Sequence, residues 1–236
     1  MISLRIEAIL QSPIVLYDPL FLDSLLTLAV HIRGGRYESP MNYEDIVYVD
    51  IPIEKYKDVW CASAGMFWSR ESKEVWHKKF ASEYEEMIDF AGNKEAIETG
   101  NGPYRAYAMP LIVSSTSKVV WFARGDKEEV KKLLPYITAL GKKRAIGYGM
   151  ILKWKITEIE QDRSITMPGG VARHIPVEYG DYPNSKRNVS YRPPYWDRRY
   201  FTECYIPTWR FANGIEFEAY TGEPTLLPPP PPDVGG

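Results

Sequence analysis

Residues 2–10 alternate apolar and polar side chains: Ile2, Leu4, Ile6, Ala8 and Leu10 share one parity, while Ser3, Arg5 and Glu7 share the other. A period of two puts each set on its own face of a strand, so this stretch is expected to be a half-buried β-strand. The pattern changes after Ser12-Pro13 and Asp18-Pro19. Phe21, Leu22, Leu25, Leu26, Leu28, Ala29 and Ile32 then recur at helical spacing up to Gly34-Gly35, where a helix would stop. A second strand is expected over residues 44–53, which are rich in Ile, Val and Tyr and end near Pro52.

Periodicity loosens between 54 and 102. An aromatic patch of Trp60, Phe67 and Trp68 leads into a charged stretch over 71–90 that reads as a helix, and residues 54–103 together read as a thumb-like insertion. Strand-like runs return over 105–113 and 118–124, separated by Ser114, Ser115, Thr116 and Ser117, and a hairpin is the simplest connection between them. Asp126 suits the N-cap of a helix over 127–140, whose Val130, Leu133, Leu134, Ile137 and Leu140 form one apolar stripe. Gly141 ends it, and residues 150–159 alternate as a last strand. The order is β-α-β-β-α-β, which predicts an α+β fold of the ferredoxin-like (RRM-like) type over residues 1–160. Residues 161–227 read as an irregular C-terminal extension packed on that core. The run Pro228 to Pro232 marks a proline-rich tail over 228–236, expected to be extended and disordered.

A chain of 236 residues can hold one such domain with its insertion. Its net charge of -2 excludes a uniformly basic nucleic-acid binder, so any role of that kind must rest on local clusters of cations. Aromatic residues make up 14% of the chain, enough to leave some for contacts outside the core. Cys61 and Cys204 stand far apart with no C-x-x-C spacing, which predicts two buried thiols in a reducing cytoplasm. No run approaches the ~18 consecutive apolar residues of a membrane span, so no membrane association is expected. No Cys/His/Asp cluster has ligand spacing and no Ser-His-Asp or paired-carboxylate motif stands out, so neither metal nor cofactor is expected.

The most informative segment is Gly141-Lys142-Lys143-Arg144-Ala145-Ile146-Gly147-Tyr148-Gly149, lying between the second helix and the last strand. Three consecutive cations neutralise phosphates, and glycines allow close backbone approach to an anion. Neither a Walker loop nor a dinucleotide fingerprint fits, because the order of elements is reversed. A solvated surface turn would carry the same lysines. Further along, Arg173, Lys186, Arg187, Arg192, Arg198 and Arg199 are interleaved with Tyr191, Tyr195, Trp196 and Tyr200, a mixture suited to phosphate contact and base stacking, or to cation–π packing on the core. Trp68 and Arg70, in the insertion, are candidates for the same role.

The loop, in its place after the second helix, resembles that of the RAMP superfamily of CRISPR-associated proteins. Ser12-Pro13-Ile14 with Phe21-Leu22-Asp23-Ser24-Leu25-Leu26, and Tyr191-Arg192-Pro193-Pro194-Tyr195-Trp196, resemble motifs of the type IV subunit that caps the five-prime handle of the guide RNA. The resemblance implies a non-catalytic, cytoplasmic prokaryotic protein. It would bind guide RNA beside repeated backbone subunits and a large subunit, in a ribonucleoprotein complex that recognises target DNA. Some relatives instead process the guide as metal-independent endoribonucleases, and His31, at the end of the first helix, is the alternative catalytic residue that this implies. Asp23, in the first turn of that helix, is read as structural because a carboxylate is favoured there.

Overall fold

The computed structural model describes residues 1–35, 48–80, 87, 97–102, 104–211 and 213–222. Strand β1 (Ile2–Leu10) buries Leu4, Ile6, Ala8 and Leu10 as its alternation selects, whereas Ile2 at its start is exposed and Glu7 of the polar set is buried. It is followed by α1 (Leu22–Arg33), β2 (Lys55–Tyr56), β3 (Val59–Trp60), β4 (Phe67–Trp68) and β5 (Arg70–Lys78). Then come β6 (Tyr107–Ser115), β7 (Lys118–Gly125), α2 (Lys127–Leu133) and β8 (Ile151–Glu158). The extension carries β9 (Thr166–Met167), β10 (Gly170–Val171), β11 (Ile175–Pro176), β12 (Lys186–Ser190), β13 (Phe201–Tyr205), β14 (Arg210–Phe211) and α3 (Gly214–Thr221). The chain is thus a mixed α/β protein with several small sheets and few helices.

Packing divides it into two compact units, one of Met1–Arg70 with Ser114–Gly236 and the other of Glu71–Val113. In the first unit β1 lies between two antiparallel neighbours. It pairs with β7 from Ile2 opposite Gly125 to Ile9 opposite Lys118, and with β8 from Leu4 opposite Glu158 to Leu10 opposite Ile151. One face of this sheet joins Leu22, Leu25 and Leu26 of α1 and Val130 and Leu133 of α2 in the main core. The other face, at Val120 and Phe122 of β7, is covered by Met167, Phe211 and Phe217 of the extension. The extension therefore supplies the second layer that an amphipathic sheet needs.

Several expectations change. Residues 44–47 of the second expected strand lie outside the described residues, and 48–52 form no strand. Ile53 makes only a single bridge to Gly125. The chain from there to Met66 runs beside β7 through isolated bridges, Ala62 to Ala123 and Met66 to Val120. Both edges of β7 are then occupied, by β1 and by this segment. That is why the expected hairpin between β6 and β7 does not form, and β6 pairs with β5 instead. The start of the stretch expected as a helix over 71–90 is strand β5. In the second unit its Trp76 meets Tyr107 of β6 edge-on, with ring centroids 5.7 Å apart, a cross-strand pair that local charge patterning does not reveal. The end of that stretch, and the proline tail, lie outside the described residues.

The helix expected over 127–140 stops at Leu133. Pro135 has no amide hydrogen and its ring would clash with the carbonyl four residues back, so a short 3-10 turn over Leu134–Tyr136 follows and Ile137 is extended. All five residues of the predicted apolar stripe are nevertheless buried. Asp126 caps the helix as expected, its carboxylate accepting from the amides of Glu128 (2.9 Å) and Glu129 (3.0 Å). Residues 54–70, expected in the insertion, pack with the first unit. Cys61 and Cys204 are free and buried. No helix among the described residues is long and apolar enough to cross a membrane.

Candidate nucleic-acid interface

The loop between α2 and β8 is strapped to the segment that leaves β1. The Lys142 amide donates to the Val15 carbonyl (2.8 Å), the Gly149 amide to the Pro13 carbonyl (2.7 Å), and the Met150 amide to the Ser12 hydroxyl (2.8 Å). The Ser12-Pro13-Ile14 motif is thus the socket of the loop. Two glycines are required by this seat. Gly141, at φ +76°, would place a Cβ 2.5 Å from the Val15 carbonyl oxygen, and Gly149, at φ +68°, would place one 2.0 Å from that of Leu140. Gly149→Ala is expected to cost about 2 kcal/mol, from left-handed backbone strain and displacement of Leu140. A fall in the urea midpoint checks it.

Within the loop the Ile146 and Gly147 amides donate to the carbonyls of Lys143 (3.1 Å) and Arg144 (3.0 Å). The amides of Gly147 and Gly149 are therefore engaged inside the fold, and the glycines set the loop's path instead of gripping an anion themselves. The groups of the loop whose chemistry suits an anion are its cations. Lys142 and Arg144 are exposed, Lys143 is half-buried with its backbone left-handed at φ +61°, and Tyr148 is half-buried beside them. The Lys142 ammonium lies 4.6 Å from the ring centre of Tyr17, a residue with no motif or periodicity to single it out in the sequence.

Arg173, expected at the interface, is not accessible: its side chain and that of Asp23 are both 0% exposed and form an ion pair at 3.0 Å. The guanidinium also donates to the carbonyls of Trp60, Ala62 (3.0 Å) and Tyr191 (2.7 Å) and to the Tyr195 hydroxyl (2.9 Å). Tyr195 donates on to Asp23 (3.0 Å) and stacks on Phe21, with centroids 4.6 Å apart. The Leu22-Asp23 and Tyr191–Trp196 motifs are thus two halves of one internal clamp; Arg173 belongs to it and not to a free surface, and half-buried Tyr195 commits its hydroxyl and one ring face to it. Burial drives the Asp23 carboxyl above its ordinary range, against the pull of Arg173, Tyr195 and the Ser24 amide. Next to the clamp, His174 is buried with Nδ1 2.8 Å from the Ser190 carbonyl, and burial pushes it down to about 4.

Arg192 lies over the ring of Tyr200 at 4.0 Å and pairs with Asp58 at 3.5 Å. Asp58 also accepts from the hydroxyls of Tyr179 and of Tyr191 (2.7 Å). Partial burial pushes its carboxyl up, but these hydroxyls and Arg192 outweigh that and hold it below the ordinary value. Arg199 binds the buried Asp197 at 2.8 Å and the Tyr48 hydroxyl at 2.8 Å. Arg198 is exposed, and Trp196 is 53% exposed. These residues form a surface of rings and cations, whose members Asp58 and Tyr179 were not foreseen because they meet the others only through folding. Trp68 is half-buried, packed on the cluster of Phe211 and Phe217, and so is committed to the core; Arg70 is exposed. His31 sits half-buried in the last turn of α1. Among the described residues no group of three or more His, Cys, Asp or Glu side chains is placed to hold a metal ion.

The model of one protein family, described as CRISPR type IV associated protein Csf3, matches residues 65–207. No curated protein matches the chain. Among solved structures, a chain of the type III-B Cmr-beta complex bound to cognate target RNA, determined by cryo-electron microscopy, is similar at 9% identity and a TM-score of 0.35. The similarity covers 66% of this chain and 61% of that one, so this chain spans less than two thirds of the length it is matched to.

Proposed function

The chain belongs to the Csf3 family of type IV CRISPR-associated proteins, and on that premise we propose that it binds guide RNA through the loop 141–149, capping the five-prime handle within an effector complex. The supporting observation is the loop itself: Lys142, Lys143 and Arg144 stand together on a seat fixed by hydrogen bonds from Lys142 and Gly149 to Val15 and Pro13. Cations held on a rigid seat lose less conformational entropy on meeting a phosphate than free side chains do. In such complexes sequence is read by base pairing while the protein recognises backbone and shape, which is compatible with a net charge near zero. Arg192, Trp196, Arg198 and Arg199 offer a second surface for the same strand, and Arg70 a third contact. Repeated backbone subunits, a large subunit and target DNA are the further partners of this reading, in which the chain holds the guide without cutting it.

The ferredoxin-like reading of the fold is part of the same proposal. It is supported by β1 flanked by β7 and β8 with α1 and α2 packed on one face, and by residues 53–66 running along the outer edge of β7.

The test is binding of a handle-containing guide RNA at several salt concentrations. Changing Lys142, Lys143 and Arg144 together to Ala is expected to weaken binding tenfold or more. The slope of log affinity against log salt should become shallower by about 2, since each lost phosphate contact on a single strand removes about 0.7. Unchanged affinity and slope would refute the proposal. Incubating the protein with repeat-containing RNA tests the non-cutting role: specific cleavage abolished by His31→Ala would make the chain a processing enzyme.

A further inference from the structure

Resting on that reading of the loop, we infer that Tyr17 is a stacking platform for the nucleobase next to the phosphate that the loop holds, with single-stranded RNA of any sequence as its ligand. The two groups are built as one unit. Gly141 has no room for a side chain against the Val15 carbonyl, and the Lys142 amide donates to that same oxygen. The start of the loop is thereby pressed flat on the chain two residues before Tyr17. Val15 and Leu16 are buried and anchor this segment, whereas Tyr17 turns outward and is 38% exposed.

The Lys142 ammonium, 4.6 Å from the centre of the Tyr17 ring, ties the cation to the platform. A phosphate oxygen about 2.8 Å from that ammonium lies within one nucleotide of the ring, so one residue of RNA can meet both. The phosphate neutralises Lys142 while its base covers the exposed surface of the ring. Stacking of this kind accepts every base, because each has a π face. It also gives the loop what cations alone lack, a means of preferring an unpaired strand, with its bases free, over a duplex whose bases are already stacked.

The test uses the full chain and a single-stranded handle RNA, together with a set of the same RNA carrying one abasic nucleotide at each position in turn. With the wild-type protein, one abasic position is expected to weaken binding by about fivefold to a hundredfold. Tyr17→Leu should lose affinity by the same factor on intact RNA, keep the wild-type salt slope, and lose nothing further on the RNA lacking that base. Tyr17→Phe should bind as wild type. Thermal melting separates loss of binding from loss of fold, and the abasic series on the unaltered protein needs no variant at all. If no abasic position matters, or if Tyr17→Leu weakens every abasic RNA by an equal factor, Tyr17 only supports the loop and the inference fails. Failure here, with the Lys142/Lys143/Arg144 variant still weakened, leaves the loop's phosphate role standing. An unaffected triple variant removes the loop reading itself.

Discussion

Arg173→Met is expected to lower the free energy of unfolding by about 3–5 kcal/mol, the range for removing one partner of a buried ion pair. The reason is what the substitution leaves behind. The Asp23 carboxylate would stay sealed from solvent with only the Tyr195 hydroxyl and the Ser24 amide to satisfy it, and the carbonyls of Trp60, Ala62 and Tyr191 would each lose a donor. Desolvated groups without partners are costly even though the pair, once made, contributes little net stability. Urea unfolding gives the measure, with the midpoint falling and its slope unchanged. The double variant Arg173→Met with Asp23→Leu should recover part of the loss, because the orphaned charge goes with its partner. On the proposed guide-binding role, the salt slope discriminates between clamp and contact: the folded fraction of Arg173→Met should keep that of the wild type. A shallower slope would return Arg173 to the interface.

Acidification is expected to weaken the fold through His174, by about 3 kcal/mol between pH 6.5 and pH 4. Its imidazole sits at about 4 in the folded protein against an ordinary 6.5, because burial opposes the charged form more than the Ser190 carbonyl favours it, with nearby Arg173 adding repulsion. The direction follows from proton counting. In that window the unfolded chain binds a proton at this histidine and the folded chain does not, so falling pH favours unfolding. Above pH 6.5 both states are neutral and the effect vanishes; below 4 both are charged and the loss is complete. The size follows from the separation of the two values at about 1.4 kcal/mol per pH unit. Urea midpoints at pH 7 and pH 4.5 for the wild type and His174→Gln give the test. Gln can still donate to the Ser190 carbonyl without titrating, so the variant's stability should fall less with pH, and equal slopes would exclude His174 as the cause.

These two effects share an origin that explains how far the sequence could be read. Arg173 and Tyr195 carry polar groups that can meet water, and in sequence they resemble a nucleic-acid surface as closely as anything else in the chain. The burial of Arg173 depends on Asp23, 150 positions away, and no local pattern carries information over that distance. The same limit applies to β5. Its charges and single Trp suit an exposed helix as well as a strand, and the choice is made by Tyr107 across the ribbon. Pro135 was visible, yet the apolar stripe running through it stayed in phase, so the pattern outlived the helix that it suggested.

What the sequence by itself determined is whatever depends on neighbours within one or two turns. The alternation of β1, the spacing and glycine stop of α1, the Asp126 cap and the cation cluster at 142–144 are all of that kind, since backbone sterics and local hydrogen bonds act over a few residues. Only the tertiary structure decided which edge each strand shares, which arginines face solvent, and that Tyr17 lies beneath Lys142. Those outcomes rest on burial and on partners remote in the chain, and the same side chain stands in water or in the core according to what folding brings beside it.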